Sequence, residues 1–416
     1  PTEGVVYDYA IDLNTGKWTL WLNMVETSEL RGNLSFAEMV VPTKDSIRNI
    51  FILEKLLTNE INTICIGPTG TGKTVNIETY LMQKMADRYV PLVTSFSAQT
   101  SATDAQKFLD SKMEKRKKGV YGPASGKKYI IFVDDLNMPQ REEYGAQPPV
   151  ELLRQAMGQG GWDDTTTLDY KKVIDCTYVF GMGPPGGGRN VITEWVKRLC
   201  NIIGYVEMDE SSQKLIFNKI LSHFLLDFEP EVSAVGNIIV DASSRLYQKI
   251  STDLLPTPAK PHYTFNLRDF AKIIQGVMMA NPKRATTAAQ FVRVWVHECY
   301  RVFRDRMINM DDSGWIRDQV QDNVENVLGL EWDKTAPVSD RLFYGNYMDG
   351  PGAEPKIYDE IPDPEALTNM MNEYLMDYNG ESKSPMNLVL FLDAIEHVSR
   401  ITRVLSQPRG NCLLLG

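Results

Sequence analysis

The chain has 416 residues, 43% of them hydrophobic and 24% charged. At about 150 residues per domain that is two or three cores, and the apolar share excludes a disordered polypeptide. A net charge of −10 argues against nucleic acid as a partner, because phosphate binding needs clustered Lys and Arg. No run approaches the roughly 18 apolar residues that cross a bilayer, so no membrane partner is expected.

The opening Pro1-Thr2-Glu3 lacks the basic start and apolar stretch of a signal peptide. Residues 5–22 read as a hairpin, with Val5–Asp12 and Trp18–Leu22 flanking the turn Asn14-Thr15-Gly16. Its apolar surface is too small to stand alone, which predicts a strap onto something larger. From Pro42 the pattern becomes α/β. Ile47, Ile50, Phe51 and Glu54-Lys55-Leu56 suit a helix, and Ile61–Gly67 is a short apolar strand. Helix Lys73–Arg88 and strand Val90–Phe96 follow, then helix Asp104–Lys118 and strand Tyr129–Asp134. The basic run Lys112–Lys118, with Lys127 and Lys128, lies among Gly119, Gly122, Pro123 and Gly126 and reads as a solvated loop. Next come helix Pro148–Met157, strand Cys176–Gly181 and a Gly/Pro loop to Arg189, with an inserted hairpin expected between Gly160 and Lys172. Strands alternating with helices at this spacing imply a parallel sheet covered on both faces.

Beyond Asp209 the strand signals stop, and Gln213–Leu226, Val232–Thr252, Leu267–Met279 and Thr286–Met307 read as helices. Residues 331–385 have the Pro, Gly, Asp and Asn content of a connector, with a short helix at Pro364–Met376. A helix Met386–Gln407 and a strand Cys412–Leu415 complete the pattern. The expected division is therefore a strap (1–40), an α/β domain (41–209), a helical domain (210–330), a connector (331–385) and the start of a further domain (386–416). Cys65, Cys176, Cys200, Cys299 and Cys412 contain no C-x-x-C pair, which suits reduced intracellular thiols rather than zinc or disulfides.

Gly67-Pro68-Thr69-Gly70-Thr71-Gly72-Lys73-Thr74 is a complete G-x-x-x-x-G-K-[ST] phosphate loop between a strand and a helix. Glycines let backbone N–H groups face phosphates, and the helix N-terminus adds its positive end. Lys73 is expected to reach the β- and γ-phosphates of ATP or ADP, and the Thr74 hydroxyl to ligate Mg²⁺. The apolar strand Ile130–Val133 runs into Asp134-Asp135, where Asp134 would hold the Mg²⁺ shell and Asp135 would orient the attacking water. A P-loop domain followed by a helical domain is the AAA+ arrangement.

The resemblance then becomes specific. Val41-Pro42-Thr43, the P-loop, Phe132-Val133-Asp134-Asp135-Leu136-Asn137-Met138-Pro139 and Tyr144-Gly145-Ala146-Gln147-Pro148-Pro149 resemble the third AAA+ module of a dynein heavy chain. Gly183-Pro184-Pro185-Gly186-Gly187-Gly188-Arg189-Asn190 and Tyr263-Thr264-Phe265-Asn266-Leu267-Arg268-Asp269-Phe270 extend the match, in forms similar to the axonemal branch. Residues 386–416 resemble the opening of the fourth module. The resemblance implies that Val41, Pro42 and Thr43 meet the adenine, that Arg268 senses the γ-phosphate from the lid, and that Arg198 is a finger acting in trans on the preceding module. It implies as partners the neighbouring AAA+ modules, other dynein subunits, and microtubules through parts outside this chain, in the cytoskeleton of a cilium or flagellum. No long heptad pair marks a microtubule-binding stalk here.

Two departures bear on hydrolysis. Asp135 stands where a glutamate is usual and retracts its carboxylate by about one C–C bond, ~1.5 Å. A displacement of that order costs about 10²-fold in rate. Gly183 stands where a polar sensor is usual and cannot orient water. The leading expectation is a regulatory module that binds nucleotide and turns it over slowly or not at all. The alternative is a competent ATPase, with Asp135 as base and a water or Asn137 replacing the sensor. A structural ring segment with a vestigial pocket ranks last, because Lys73 and Thr74 are retained.

Overall fold

The structure, a computed structural model, describes residues 4–12, 15–24, 36, 39–165, 167–336, 341–350, 352–354, 356–408 and 410–414. Its contacts divide them into two compact units, one of residues up to 212 and one from 213 onward that also takes in residues 36 and 39–41.

The first unit opens with a hairpin of β1 (Tyr9–Ile11) and β2 (Trp18–Leu20), antiparallel with Tyr9 opposite Leu20. Asn14 of the expected turn lies outside the described residues. The hairpin is followed by Trp21, whose ring packs edge-on against Phe51 of α1 (Lys44–Thr58). α1 starts at a capping box: Thr43 Oγ1 accepts the Ser46 N–H at 3.2 Å, and Ser46 Oγ accepts the Thr43 N–H at 2.8 Å. Then come β3 (Thr63–Ile66), α2 (Lys73–Gln83), β4 (Tyr89–Ser95), α3 (Ala102–Lys112), β5 (Glu114–Lys117), β6 (Val120–Gly122) and β7 (Lys128–Asp134). They are followed by α4 (Pro148–Gln159), β8 (Gly161–Asp163), β9 (Tyr170–Val173), β10 (Cys176–Met182), α5 (Glu194–Lys197) and β11 (Asn201–Gly204).

Five strands form one parallel sheet in the order β11-β3-β10-β7-β4. Both its faces are covered, which is why β7 is apolar without alternation. Tyr129, Ile131 and Val133 join the core beneath α3 and α4, whereas Ile130 and Phe132 join the core beneath α1 and α2. The hairpin expected between Gly160 and Lys172 is β8–β9, and β6 binds β9 to make a four-stranded sheet in the order β5-β6-β9-β8.

Several boundaries differ from expectation. α2 ends at Gln83 rather than Arg88, because the chain must turn at Ala86 to bring Tyr89 opposite Lys128 in the sheet. α3 ends at Lys112, and the basic run is neither helix nor loop throughout: Glu114–Lys117 pairs antiparallel with β6 around Gly119, whose φ is 73°. β11 was not foreseen; four residues with two isoleucines are a weak signal for an edge strand.

The second unit is helical: α6 (Glu210–Phe224), α7 (Pro230–Asp253), α8 (Leu267–Val277), α9 (Ala288–Val302), α10 (Met310–Asn326) and α11 (Trp332–Thr335). α10 was missed, although Ile316, Val320 and Val324 recur every fourth residue; Gly314 and its many acids obscured the stripe. Tyr344–Gly345 pairs with Asp359–Glu360, and α12 (Pro364–Glu381) runs past its expected end at Met376. α13 covers only Leu392–Leu405. Met386 is held out of helix by Asn379, whose side chain accepts its N–H at 2.7 Å and donates to its carbonyl at 2.8 Å. Cys412–Leu414 form no strand, and Leu415 lies outside the described residues.

α13 is fastened to α9 by a buried ion pair. Arg403 Nε donates to Glu298 Oε1 at 2.9 Å, its Nη2 bonds the other oxygen, and Tyr358 Oη donates to Oε1 at 3.3 Å. Glu298 is fully buried and fits only because Gly276 lacks a side chain: a Cβ there would lie 1.8 Å from Glu298 Oε2. Removing one partner of a buried pair strands the other charge. Arg403→Met is therefore expected to destabilise the helical unit by about 3–5 kcal/mol. Urea unfolding followed by far-ultraviolet circular dichroism checks this; an unchanged midpoint contradicts it.

Candidate functional site

The phosphate loop leaves β3 at Ile66 and enters α2 at Lys73. Gly70 and Gly72 have φ of 87° and 74°, left-handed backbone that glycine adopts without strain. Gly67 answers a different need. A Cβ on it would stand 2.3 Å from the carbonyl oxygen of Tyr205, just past β11.

The loop is wrapped on Lys73, whose Nζ donates to the carbonyls of Gly67 and Pro68, each at 2.7 Å, and to Thr71 Oγ1 at 3.2 Å. Burial lowers the Lys73 pKa, the Asp134 carboxylate opposes that, and the Arg189 guanidinium lowers it further. Thr74 Oγ1 donates to Asp134 Oδ2 at 2.6 Å, joining the P-loop helix to the end of β7. The other oxygen, Oδ1, accepts the Asp135 N–H at 3.0 Å. On β10, Gly181 makes room for this carboxylate, since a Cβ there would come within 2.3 Å of Asp134 Oδ1. Asp135 has φ 52°, a left-handed conformation that aspartate tolerates better than most residues.

The structure thus brings together Gly67, Pro68, Thr69, Gly70, Thr71, Gly72, Lys73, Thr74, Asp134 and Asp135. Val41 is 7% exposed and belongs to the core of the helical unit, and Thr43 caps α1. Pro42, between them, is half-buried. Arg268 is exposed at the second position of α8, where its N–H donates to the Asn266 cap at 2.8 Å. Arg198 is exposed just past α5, with its guanidinium 4.4 Å from the ring centroid of Trp195.

Asn137, the expected alternative to the sensor, is engaged on its amide nitrogen. It is fully buried, and its Nδ2 donates to the carbonyls of Gly183 at 2.9 Å and Asn190 at 3.1 Å, so it ties down the loop after β10. The residue sequence reasoning overlooked is Arg189. Its Nη2 donates to Thr69 Oγ1 at 3.2 Å, and its side chain lies across Gly183. The one sequence signal was the Gly186-Gly187-Gly188 run before it, which permits a reversal of the chain.

A P-loop at the carboxyl edge of this parallel sheet, an acid at the end of β7, and a helical unit next in the chain define an AAA+ P-loop module with its lid. Family models match accordingly: a P-loop containing dynein motor region over residues 28–208, an AAA+ lid domain over 239–329, and a P-loop containing dynein motor region D4 over 386–416. The chain belongs to the AAA motor region of the dynein heavy chains. It is 40% identical to "Dynein axonemal heavy chain 1" of Mus musculus, over 100% of this chain and 10% of that protein. Identity is 40% to "Dynein axonemal heavy chain 6" and 38% to "Dynein axonemal heavy chain 12" of Homo sapiens, over 100% of this chain and 10% and 14% of those proteins. The chain spans about a tenth of the length of the curated relatives it matches.

The residues fit the Mg-nucleotide that this class of P-loop takes. A half-buried ammonium and a guanidinium stand beside glycine-rich backbone at a helix N-terminus, an arrangement that favours a polyanion. The Thr74 hydroxyl and Asp134 carboxylate, already in contact, are the hard oxygen donors Mg²⁺ prefers alongside phosphate. Gly181→Ala is expected to push the Asp134 carboxylate off Thr74. Its effect should be a loss of about tenfold or more in ADP affinity with Mg²⁺ present, and little change in excess chelator. Equal affinities for mutant and wild type in both titrations would contradict this placement of Asp134.

Proposed function

We propose that the chain is a regulatory nucleotide-binding module of an axonemal dynein motor, holding ATP or ADP with Mg²⁺ and hydrolysing slowly or not at all. One observation carries the reading: the binding set is assembled, with Thr74 on Asp134 at 2.6 Å, while the hydrolysis set is altered at Asp135 and Gly183. In this reading the backbone of residues 67–72 and Lys73 grip the β- and γ-phosphates, and Thr74 and Asp134 hold the metal. Val41, Pro42 and Thr43 meet the adenine through backbone and apolar contact, Arg268 meets the γ-phosphate from the lid, and Arg198 serves the preceding module's site. When bound, the nucleotide supplies the phosphoanhydride and Mg²⁺ offsets its negative charge. Asp135 would orient the water, from a side chain shorter than the usual glutamate.

The module is the third of its motor, with the fourth beginning near residue 386; the match of residues 386–416 to motor region D4 supports that position. The domain division follows as 1–40, 41–209, 210–330, 331–385 and 386–416, and the matched P-loop, lid and D4 regions support it. The partners are the adjoining AAA+ modules and other dynein subunits in a ciliary axoneme, with microtubules reached through parts of the motor outside this chain. The relatives' names support this setting.

Nucleotide at 100 times its Kd stabilises a fold by about 2.7 kcal/mol. Lys73→Ala should remove most of the corresponding thermal shift for both ATP and ADP, whereas Arg268→Ala should reduce it for ATP alone. An undiminished shift in Lys73→Ala sinks the P-loop assignment, and equal losses in Arg268→Ala deny that arginine a γ-phosphate contact. Single-turnover hydrolysis by the chain should be far slower than an ordinary enzyme rate, on the order of 10 s⁻¹. Turnover at that rate would show the module to be a competent ATPase.

A further inference from the structure

The loop after β10 is built to return an arginine to the phosphate loop. Gly186, Gly187 and Gly188 have φ of 117°, 57° and 85°, and reverse the chain. Across the reversal the Gly186 N–H donates to the Arg189 carbonyl at 3.0 Å and the Arg189 N–H to the Gly186 carbonyl at 3.1 Å. Asn190 anchors the far end: its N–H donates to Asn137 O at 2.9 Å and its Nδ2 to Pro139 O at 2.8 Å. Asn137 in turn grips the carbonyls on either side of the loop. The base from which Arg189 projects is thus held against the segment that follows Asp134.

From that base the side chain crosses Gly183. A Cβ on Gly183 would stand 2.6 Å from both Cδ and Nε of Arg189. The Gly183 backbone is not left-handed, so what the glycine provides there is room for the neighbouring arginine and not a special φ. The guanidinium ends on Thr69 Oγ1 of the phosphate loop, and its Nε is buried without a hydrogen-bond partner. Among the described residues no carboxylate lies within ion-pair distance of Arg189. A guanidinium carries five donors in a planar fork suited to phosphate oxygens, and among the described residues only Thr69 Oγ1 accepts from this one.

We propose that Arg189 is a phosphate-binding residue acting in cis, contacting the terminal phosphate of a nucleoside triphosphate from the place a polar side chain at position 183 would fill. The proposal rests on the P-loop reading and deepens it. Arg189 gives the site preference for triphosphate over diphosphate without supplying a group to orient water, so binding is strengthened and hydrolysis is not. The bland alternative is that Arg189 merely ties its loop to Thr69, in which case the two nucleotides are affected alike.

The test is titration of the 416-residue chain, with Mg²⁺, by fluorescent ADP and a fluorescent non-hydrolysable ATP analogue. Arg189→Ala should weaken the triphosphate by about tenfold or more, as for a charge-assisted hydrogen bond, and ADP by less than about twofold. Arg189→Lys should recover part of the difference, since it keeps the charge but loses the fork. Gly183→Ala, with Arg189 intact, should show the same selective loss, because the added methyl displaces the guanidinium. Equal weakening of both nucleotides by Arg189→Ala, or of neither, overturns the role of Arg189 while leaving the P-loop reading in place. Failure of the wild-type chain to bind either nucleotide overturns both.

Discussion

In the parallel sheet β10 is bonded on one side to β3 and on the other to β7, with Met182 opposite Ile66 and Phe180 opposite Val133. That register puts the carboxyl ends of the three strands at one edge, so that Asp134 ends one strand while Gly67 and Gly183 directly follow its neighbours. Just past the edge, the Gly67 N–H donates to Met182 O at 3.2 Å and the Leu136 N–H to Gly181 O at 3.0 Å, extending the strand pairing into the site. The open end of a parallel sheet is where α/β proteins bind ligands. Here both faces are covered by helices, which leaves the edge as the exit for polar side chains. A shift of β10 by one residue would separate Gly181 from Asp134 and replace it there with a side chain that has no space.

Three glycines on these strands and loops are explained by different neighbours. Gly67 yields to the main chain after β11, Gly181 to the Asp134 carboxylate, and Gly183 to Arg189. In each case the missing side chain is the room another group occupies. The same device recurs in the helical unit, where Gly276 yields to Glu298 and lets a charged pair join α9 to α13. Close approach, rather than backbone freedom, is what these positions demand.

The residues expected to hold a nucleotide and those expected to handle water are in different structural situations. Lys73, Thr74 and Asp134 are mutually bonded or in one another's field, and the loop backbone follows them. The residue that would handle water, Asp135, has a short side chain on a left-handed backbone. Asn137, the nearest polar candidate for a sensor, is engaged with main-chain carbonyls. That division of residues is what the proposed reading of slow or absent turnover rests on.

The amino-acid sequence alone was enough for the class of fold and the core of the site, because both rest on local signals. A glycine-rich loop between an apolar strand and a helix, and an apolar strand ending in Asp134-Asp135, are legible at short range. So were the four main lid helices, whose apolar residues recur at helical spacing, and the hairpin between Gly160 and Lys172. What was not legible depended on distant partners. β11 is a strand because β3 offers it an edge, and Glu114–Lys117 is a strand because β6 pairs with it, against the helical preference of its Lys and Glu residues. Asn379 holds Met386 extended from seven residues away in the chain. Arg189 and Gly183 looked unrelated in sequence, one a loop cation and the other a missing sensor. Only the folded loop decided that they share a single space, because which side chain fills a volume is set by every segment that borders it.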